Sequence, residues 1–196
     1  MIANAKLRAT VIMVDCQVDF MSPDGALSVP NASTIAASCL KLAERVWTSH
    51  ILDGISGGFW KLIATQDWHT PADPSFAVNG GQWPIHCVQY SKGAQLTWPW
   101  LERADYNVKK TGYSAFENTG LHDLLKFDFG KVIICGIALD YCVKATALDA
   151  KRLGFDTIVA IDATAPVTVP GGMDAVIEME AAGIAVMKTE EILRGN

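Results

Sequence analysis

Short apolar runs rich in Val and Ile recur along the chain, at residues 9–14, 61–65, 106–108, 131–135, 157–161 and 184–187. Runs of this length, with little polar alternation, read as strands buried on both faces. Between several of them lie segments 33–48, 121–126, 140–152 and 173–182, whose apolar residues repeat at helical spacing. This alternation predicts an α/β fold of three layers, with a central six-stranded, mostly parallel sheet flanked by helices. Capping chemistry supports the boundaries: Asn31 or Ser33 can cap the first helix, Gly154 follows the third, and Gly183 follows the fourth.

The stretch from Asp67 to Asp105 breaks the pattern. It carries Pro71, Pro74, Gly80, Gly81, Pro84, Gly93, Pro99 and four tryptophans, with no sustained period. So long a connection inside a compact domain is usually functional. In open parallel sheets, ligands bind beyond the carboxyl ends of the strands. The residues just after four of the runs are polar: Asp15, Gln17 and Asp19; Asp67 and His69; Lys109 and Lys110; and the segment from Gly136 to Cys142. If the strands are parallel, these groups meet at one edge.

Composition narrows the class without changing this picture. The 196 residues fit one domain spanning 1–196; half are hydrophobic and 19% are charged, which is too apolar for a disordered chain. No internal repeat or composition shift marks a second domain. The net charge of −5, without a Lys/Arg cluster, leaves no footprint for nucleic acid or an anionic membrane surface. After Lys6 and Arg8 the first apolar run is too short for a signal peptide, and no run approaches the roughly 18 residues of a membrane span. Five irregularly spaced cysteines read as free thiols in a reducing cytoplasm.

Two clusters carry chemistry. Cys142 falls in the first turn of a predicted helix, where the helix N-terminus is expected to lower its pKa. Asp15 and a lysine brought by neighbouring strands would add a proton acceptor and a tuning charge. Cys16, Cys39 and Cys135 read as small buried hydrophobes. Asp67 and His69 lie two apart and so share a face of an extended segment, and His86 can return through the loop as a third ligand. Such an open N/O site suits zinc, iron or manganese. His50 and His122 read as ordinary hydrogen-bonded histidines.

Five ordered motifs then resemble one family along nearly the whole chain. They are Val14-Asp15-Cys16-Gln17-Val18-Asp19-Phe20, Thr65-Gln66-Asp67-Trp68-His69, Trp83-Pro84-Ile85-His86-Cys87-Val88, Lys110-Thr111-Gly112-Tyr113-Ser114-Ala115-Phe116, and Cys135-Gly136-Ile137-Ala138-Leu139-Asp140-Tyr141-Cys142-Val143-Lys144-Ala145-Thr146. This wording is similar to the nicotinamidase/pyrazinamidase branch of the isochorismatase-like cysteine hydrolases, whose fold is Rossmann-like.

The resemblance implies Cys142 as nucleophile, Asp15 as general acid/base and Lys110, rather than its neighbour Lys109, as third member of the triad. It implies a cis peptide at Ile137-Ala138 and an oxyanion hole formed by the N–H groups of Ala138 and Cys142. It also implies one divalent ion, zinc ahead of iron or manganese, on Asp67, His69 and His86. Phe20, Trp83 and Tyr113 match positions that wall a flat substrate ring, whereas Trp68, Trp98 and Trp100 read as packing. The implied reaction is hydrolysis of nicotinamide to nicotinic acid and ammonia through a cysteine thioester, a step of cytoplasmic NAD salvage, with pyrazinamide as a related substrate and a homo-oligomer as a family expectation. Another small amide or carbamoyl substrate is the alternative, and a noncatalytic binding domain stands further off. Relatives carry a further histidine six positions after the Asp, where this chain has Asp73, which leaves the coordination number open. Residues 54–59 read as a surface insertion.

Overall fold

The computed structural model describes residues 9–52, 60–126 and 130–195; Lys6, Arg8 and the 54–59 insertion lie outside them. Each apolar run becomes a strand: β1 (Ala9–Val14), β2 (Trp60–Asp67), β3 (Tyr106–Lys110), β4 (Lys131–Ile137), β5 (Asp156–Ala165) and β6 (Ala185–Met187). They form one sheet in the order β3-β2-β1-β4-β5-β6. Every pairing is parallel, so the sheet is wholly rather than mostly parallel. Each connection is a crossover long enough to return the chain to the same edge.

Side chains alternate between two cores, as the period of a strand requires. Val11 and Met13 of β1 join one core, and Ile12 and Val14 the other. The first core is closed by α2 (Ala36–Leu52), through Cys39, Leu42, Ala43 and Val46, and by Ile192 of α6 (Thr189–Arg194). The second is closed by α3 (Leu121–Leu125), α4 (Lys144–Arg152) and α5 (Val169–Ala181). Among the described residues no helix is long and apolar enough to cross a membrane.

Three departures from the sequence reading bear on the site. First, β2 and β3 run past their apolar runs to Asp67 and Lys110, and β4 runs to Ile137. Gln66, Asp67 and Lys110 continue β2 and β3 because they are buried and partnered, which hydropathy does not register. Second, the helix predicted from 140 begins instead as a π-helical turn, Leu139–Val143, before α4; such turns concentrate at functional sites. Third, two short helices escape the periodicity: α1 (Val18–Met21), directly after β1, and α6. Asn31 takes a left-handed conformation and its side chain caps nothing, so a 3₁₀ turn, Ala32–Ile35, leads into α2 instead. Gly154 and Gly183 close their helices with positive φ, as expected.

Gly136 is a tight point of the frame. It lies in β4 opposite Val14 with φ +104°, and a Cβ there would stand 2.1 Å from the Val14 carbonyl oxygen. Gly136→Ala combines an unfavourable backbone with a backbone clash. It is expected to cost about 3 kcal/mol or more, read as a lower urea midpoint with an unchanged slope. An unchanged midpoint would contradict the packing described.

Candidate active site

The strand order reverses between β1 and β4, and ligand crevices form at such a switch point. Asp15 leaves β1 there in a left-handed conformation, φ +48°. Lys110 stands in register with Asp67 across β2 and β3. Its buried ammonium lies 2.7 Å from Asp15 Oδ2, contacts Asp67 Oδ1, donates to the Gly112 carbonyl at 3.0 Å and sits 3.5 Å from Cys142 Sγ. The three predicted triad residues therefore meet. Lys109 does not join them: it is exposed, with its Nζ 3.6 Å from the centre of the Trp68 ring.

Burial and neighbouring charges shift each of these groups. Burial pushes the Cys142 thiol well up; Lys110 draws it back only in part, and Asp15 and Asp67 raise it further. This corrects the expectation of a lowered thiol pKa. The sulfur sits in a π-turn flanked by two carboxylates, and desolvation exceeds what the single ammonium and the helix end supply. A base must therefore remove its proton. Burial also raises the Asp15 carboxyl against the pull of Lys110. Asp67, though also buried, is held below the usual carboxylate range, with Lys110 the strongest neighbour drawing it down. Lys110 remains charged because Asp15 and Asp67 outweigh its burial.

Asp67 faces two ways. Its Oδ1 meets Lys110, while Oδ2 lies 3.6 Å from His69 Nε2 and 3.8 Å from His86 Nε2. The outer ring nitrogens are already committed: His69 Nδ1 donates to Asp73 at 2.8 Å, and His86 Nδ1 to the Pro84 carbonyl at 2.7 Å. Both Nε2 lone pairs thus point inward with the carboxylate, and buried His69 Nε2 makes no hydrogen bond among the described residues. Two imidazoles and a carboxylate that converge with fixed tautomers fit a divalent ion with open positions. Asp73 stands behind His69 and orients it, outside the converging set.

The cluster and Cys142 share one cavity of about 460 Å³, lined also by Phe20, Trp83, Tyr113, Ala138 and Val167. The predicted ring-wall residues are all present. Trp83 Nε1 donates to the Tyr113 hydroxyl at 3.0 Å, and Tyr141 packs on both rings at 5.4 and 5.7 Å. Tyr141 was missed by the sequence reading, although its place directly before Cys142 was a usable signal. Trp68, Trp98 and Trp100 pack elsewhere, as expected. The Ile137–Ala138 peptide is cis, as the resemblance implies.

Gln17 and Asp19 hold the long loop over this crevice. Gln17 pairs with the Asp67 backbone through both ends of its amide, 2.8 Å each, and also donates to the Ala94 carbonyl. Asp19 accepts from the Cys87 N–H at 2.7 Å. These contacts were not legible, because Ala94 and Cys87 come from the aperiodic loop and Asp67 lies past the apolar run of its strand.

A thiol beside a buried ammonium that also pairs with a carboxyl, at the mouth of a parallel sheet, is equipment for covalent hydrolysis, and the class is that of α/β cysteine hydrolases. Comparison narrows it. The sequence profile of the Isochorismatase domain matches residues 9–191, and the chain belongs to that family. It is 34% identical to the nicotinamidase of Escherichia coli over 88% of this chain and 91% of that one. The nicotinamidase/pyrazinamidase of Mycobacterium tuberculosis is 32% identical over 90% and 97%. Among solved structures, the pyrazinamidase of Pyrococcus horikoshii in complex with zinc superposes with a TM-score of 0.80 at 36% identity, covering 92% of this chain and 99% of that one. An L. infantum protein in complex with nicotinate gives 0.82 at 32%, covering 96% and 98%.

Of the five free cysteines, only Cys142 lines the cavity; Cys16, Cys39, Cys87 and Cys135 have no exposed surface. Iodoacetamide is expected to label Cys142 first in the native protein, read by peptide mass spectrometry. Equal labelling of any other cysteine would contradict the placement.

Proposed function

We propose that the protein is a nicotinamidase, releasing nicotinic acid and ammonia from nicotinamide, with pyrazinamide as a second substrate. One observation carries this reading: Asp67 joins the thiol centre and the two-histidine cluster through opposite oxygens, a single carboxylate apart. A flat ring with a heteroatom at one end and a carboxamide at the other fits that span. The aromatic walls supply its stacking faces. A divalent ion on Asp67, His69 and His86, zinc in the first place, would supply a Lewis-acidic contact for the ring nitrogen.

In the mechanism proposed, Asp15 takes the Cys142 S–H proton and the sulfur attacks the carboxamide carbon. The N–H groups of Ala138 and Cys142 receive the oxyanion. The C–N bond breaks as Asp15 returns its proton to the departing ammonia, leaving a thioester on Cys142. Asp15 then deprotonates a water that attacks the thioester, the C–S bond breaks, and the sulfur regains the proton. Lys110 stays charged and keeps the two buried carboxylates apart in role. Phe20, Trp83 and Tyr113 hold the ring so that the amide reaches the sulfur. We place the reaction in the cytoplasm, as a step of NAD salvage; five unpaired thiols fit a reducing compartment.

Ammonia release from nicotinamide, measured beside aliphatic amides and ureas, tests the substrate class. Selectivity for the ring is expected, and equal rates on an aliphatic amide would reject it. In the same assay Cys142→Ala should abolish turnover and Asp15→Asn should lower it at least about 100-fold. Activity of either variant near that of the parent would refute its role.

Elemental analysis should find one divalent ion per chain. His86→Ala is expected to lose that ion and raise KM for nicotinamide more than it lowers kcat, since the cluster grips the ring rather than the reacting carbon. A metal-free preparation with unchanged kinetics would contradict this.

A further inference from the structure

One buried side chain beside the triad remains without a role. Thr65 lies in β2, two residues before Asp67, and is wholly buried. Its hydroxyl donates to Asp15 Oδ1 at 2.6 Å and accepts the Asp15 backbone N–H at 3.2 Å. A single hydroxyl thus clips the backbone and the carboxyl of the same residue.

The clip acts where it is needed. Asp15 has left β1 in a left-handed conformation that non-glycine residues seldom adopt. With Oδ1 occupied by Thr65, the remaining oxygen, Oδ2, faces the Lys110 ammonium at 2.7 Å, and that ammonium lies 3.5 Å from Cys142 Sγ. The two carboxyl oxygens are therefore inequivalent: one anchored to the sheet, the other turned toward the ammonium that sits beside the thiol. A carboxyl free to rotate would divide its proton between them.

We propose that Thr65 is the positioning residue of the proton shuttle, fixing Asp15 so that Oδ2 alone exchanges the proton with Cys142 and the leaving nitrogen. The chemistry balances as a simple transfer: the S–H bond breaks, an O–H bond forms at Oδ2, and the sulfur keeps the electron pair. That proton later forms the third N–H bond of ammonia. The proposal rests on the reading of Asp15 as acid/base. It assigns Thr65 no contact with substrate, so its loss acts on the rate of proton transfer and not on ring binding.

The test compares Thr65→Val, which keeps the shape and removes the hydroxyl, with Thr65→Ser, which keeps the hydroxyl. Steady-state kinetics on nicotinamide, melting temperature and Asp15→Asn are measured in parallel on the 196-residue chain. The Val variant is expected to lose 10- to 100-fold in kcat with KM within about two-fold of the parent. The Ser variant should recover most of that rate. Parent-like kcat in Thr65→Val overturns the proposal. So does an equal loss in both variants that follows their melting temperatures, because the residue would then be structural only. If Thr65→Val fails to fold, Thr65→Ala against Thr65→Ser reads the same comparison. Full activity in Asp15→Asn would instead refute the acid/base reading, and the two failures are separately visible.

Discussion

The site is organised around one buried ammonium. Lys110 is enclosed by two carboxylates and a thiol, and each of those groups would be costly in the interior without it. Losing the lysine would leave Asp15 and Asp67 as close, unpaired neighbours; breaking a buried pair typically costs about 3–5 kcal/mol. Its position follows from the sheet, since parallel pairing sets Asp67 and Lys110 in direct register. β1 brings Asp15 to the same place, and β4, on the other side of the switch point, brings Cys142. The fold therefore supplies the juxtaposition, and the charge balance makes it tolerable.

That balance also separates the two carboxylates by function. Asp67 meets Lys110 with one oxygen and turns the other toward the histidines, so it remains ionised and can anchor a cation. Asp15 has Lys110 on one oxygen and only a hydroxyl on the other, and burial raises its affinity for a proton. Two residues of the same type thus divide the work of holding and exchanging charge, as carboxyl pairs do when their environments differ. The long loop completes the device. Gln17 and Asp19 tether it to the edge of the sheet, so that His86 and Trp83 close the cavity opposite Cys142.

Much of this was legible in the chain. Uninterrupted apolar runs gave the six strands, and the polar residues that ended them pointed to the crevice before any geometry was known. Asp67, His69 and His86 could be grouped from spacing and loop chemistry, and the motif wording singled out Lys110 over Lys109. What stayed hidden depends on tertiary contact. The extension of β2 and β3 into polar residues is invisible to hydropathy, and the orienting role of Asp73 required its carboxylate to be seen behind His69. The direction of the Cys142 shift was misread because a helix N-terminus is visible in sequence while burial between two carboxylates is not.

The central claim is that Cys142 carries the acyl group. Mixing the enzyme with excess nicotinamide, quenching in acid within the first turnovers and mapping peptides by mass spectrometry reads this directly. The account predicts a nicotinoyl thioester on the Cys142 peptide that disappears as substrate is exhausted. Sustained ammonia release with no adduct there, or with the acyl group on another residue, would contradict it.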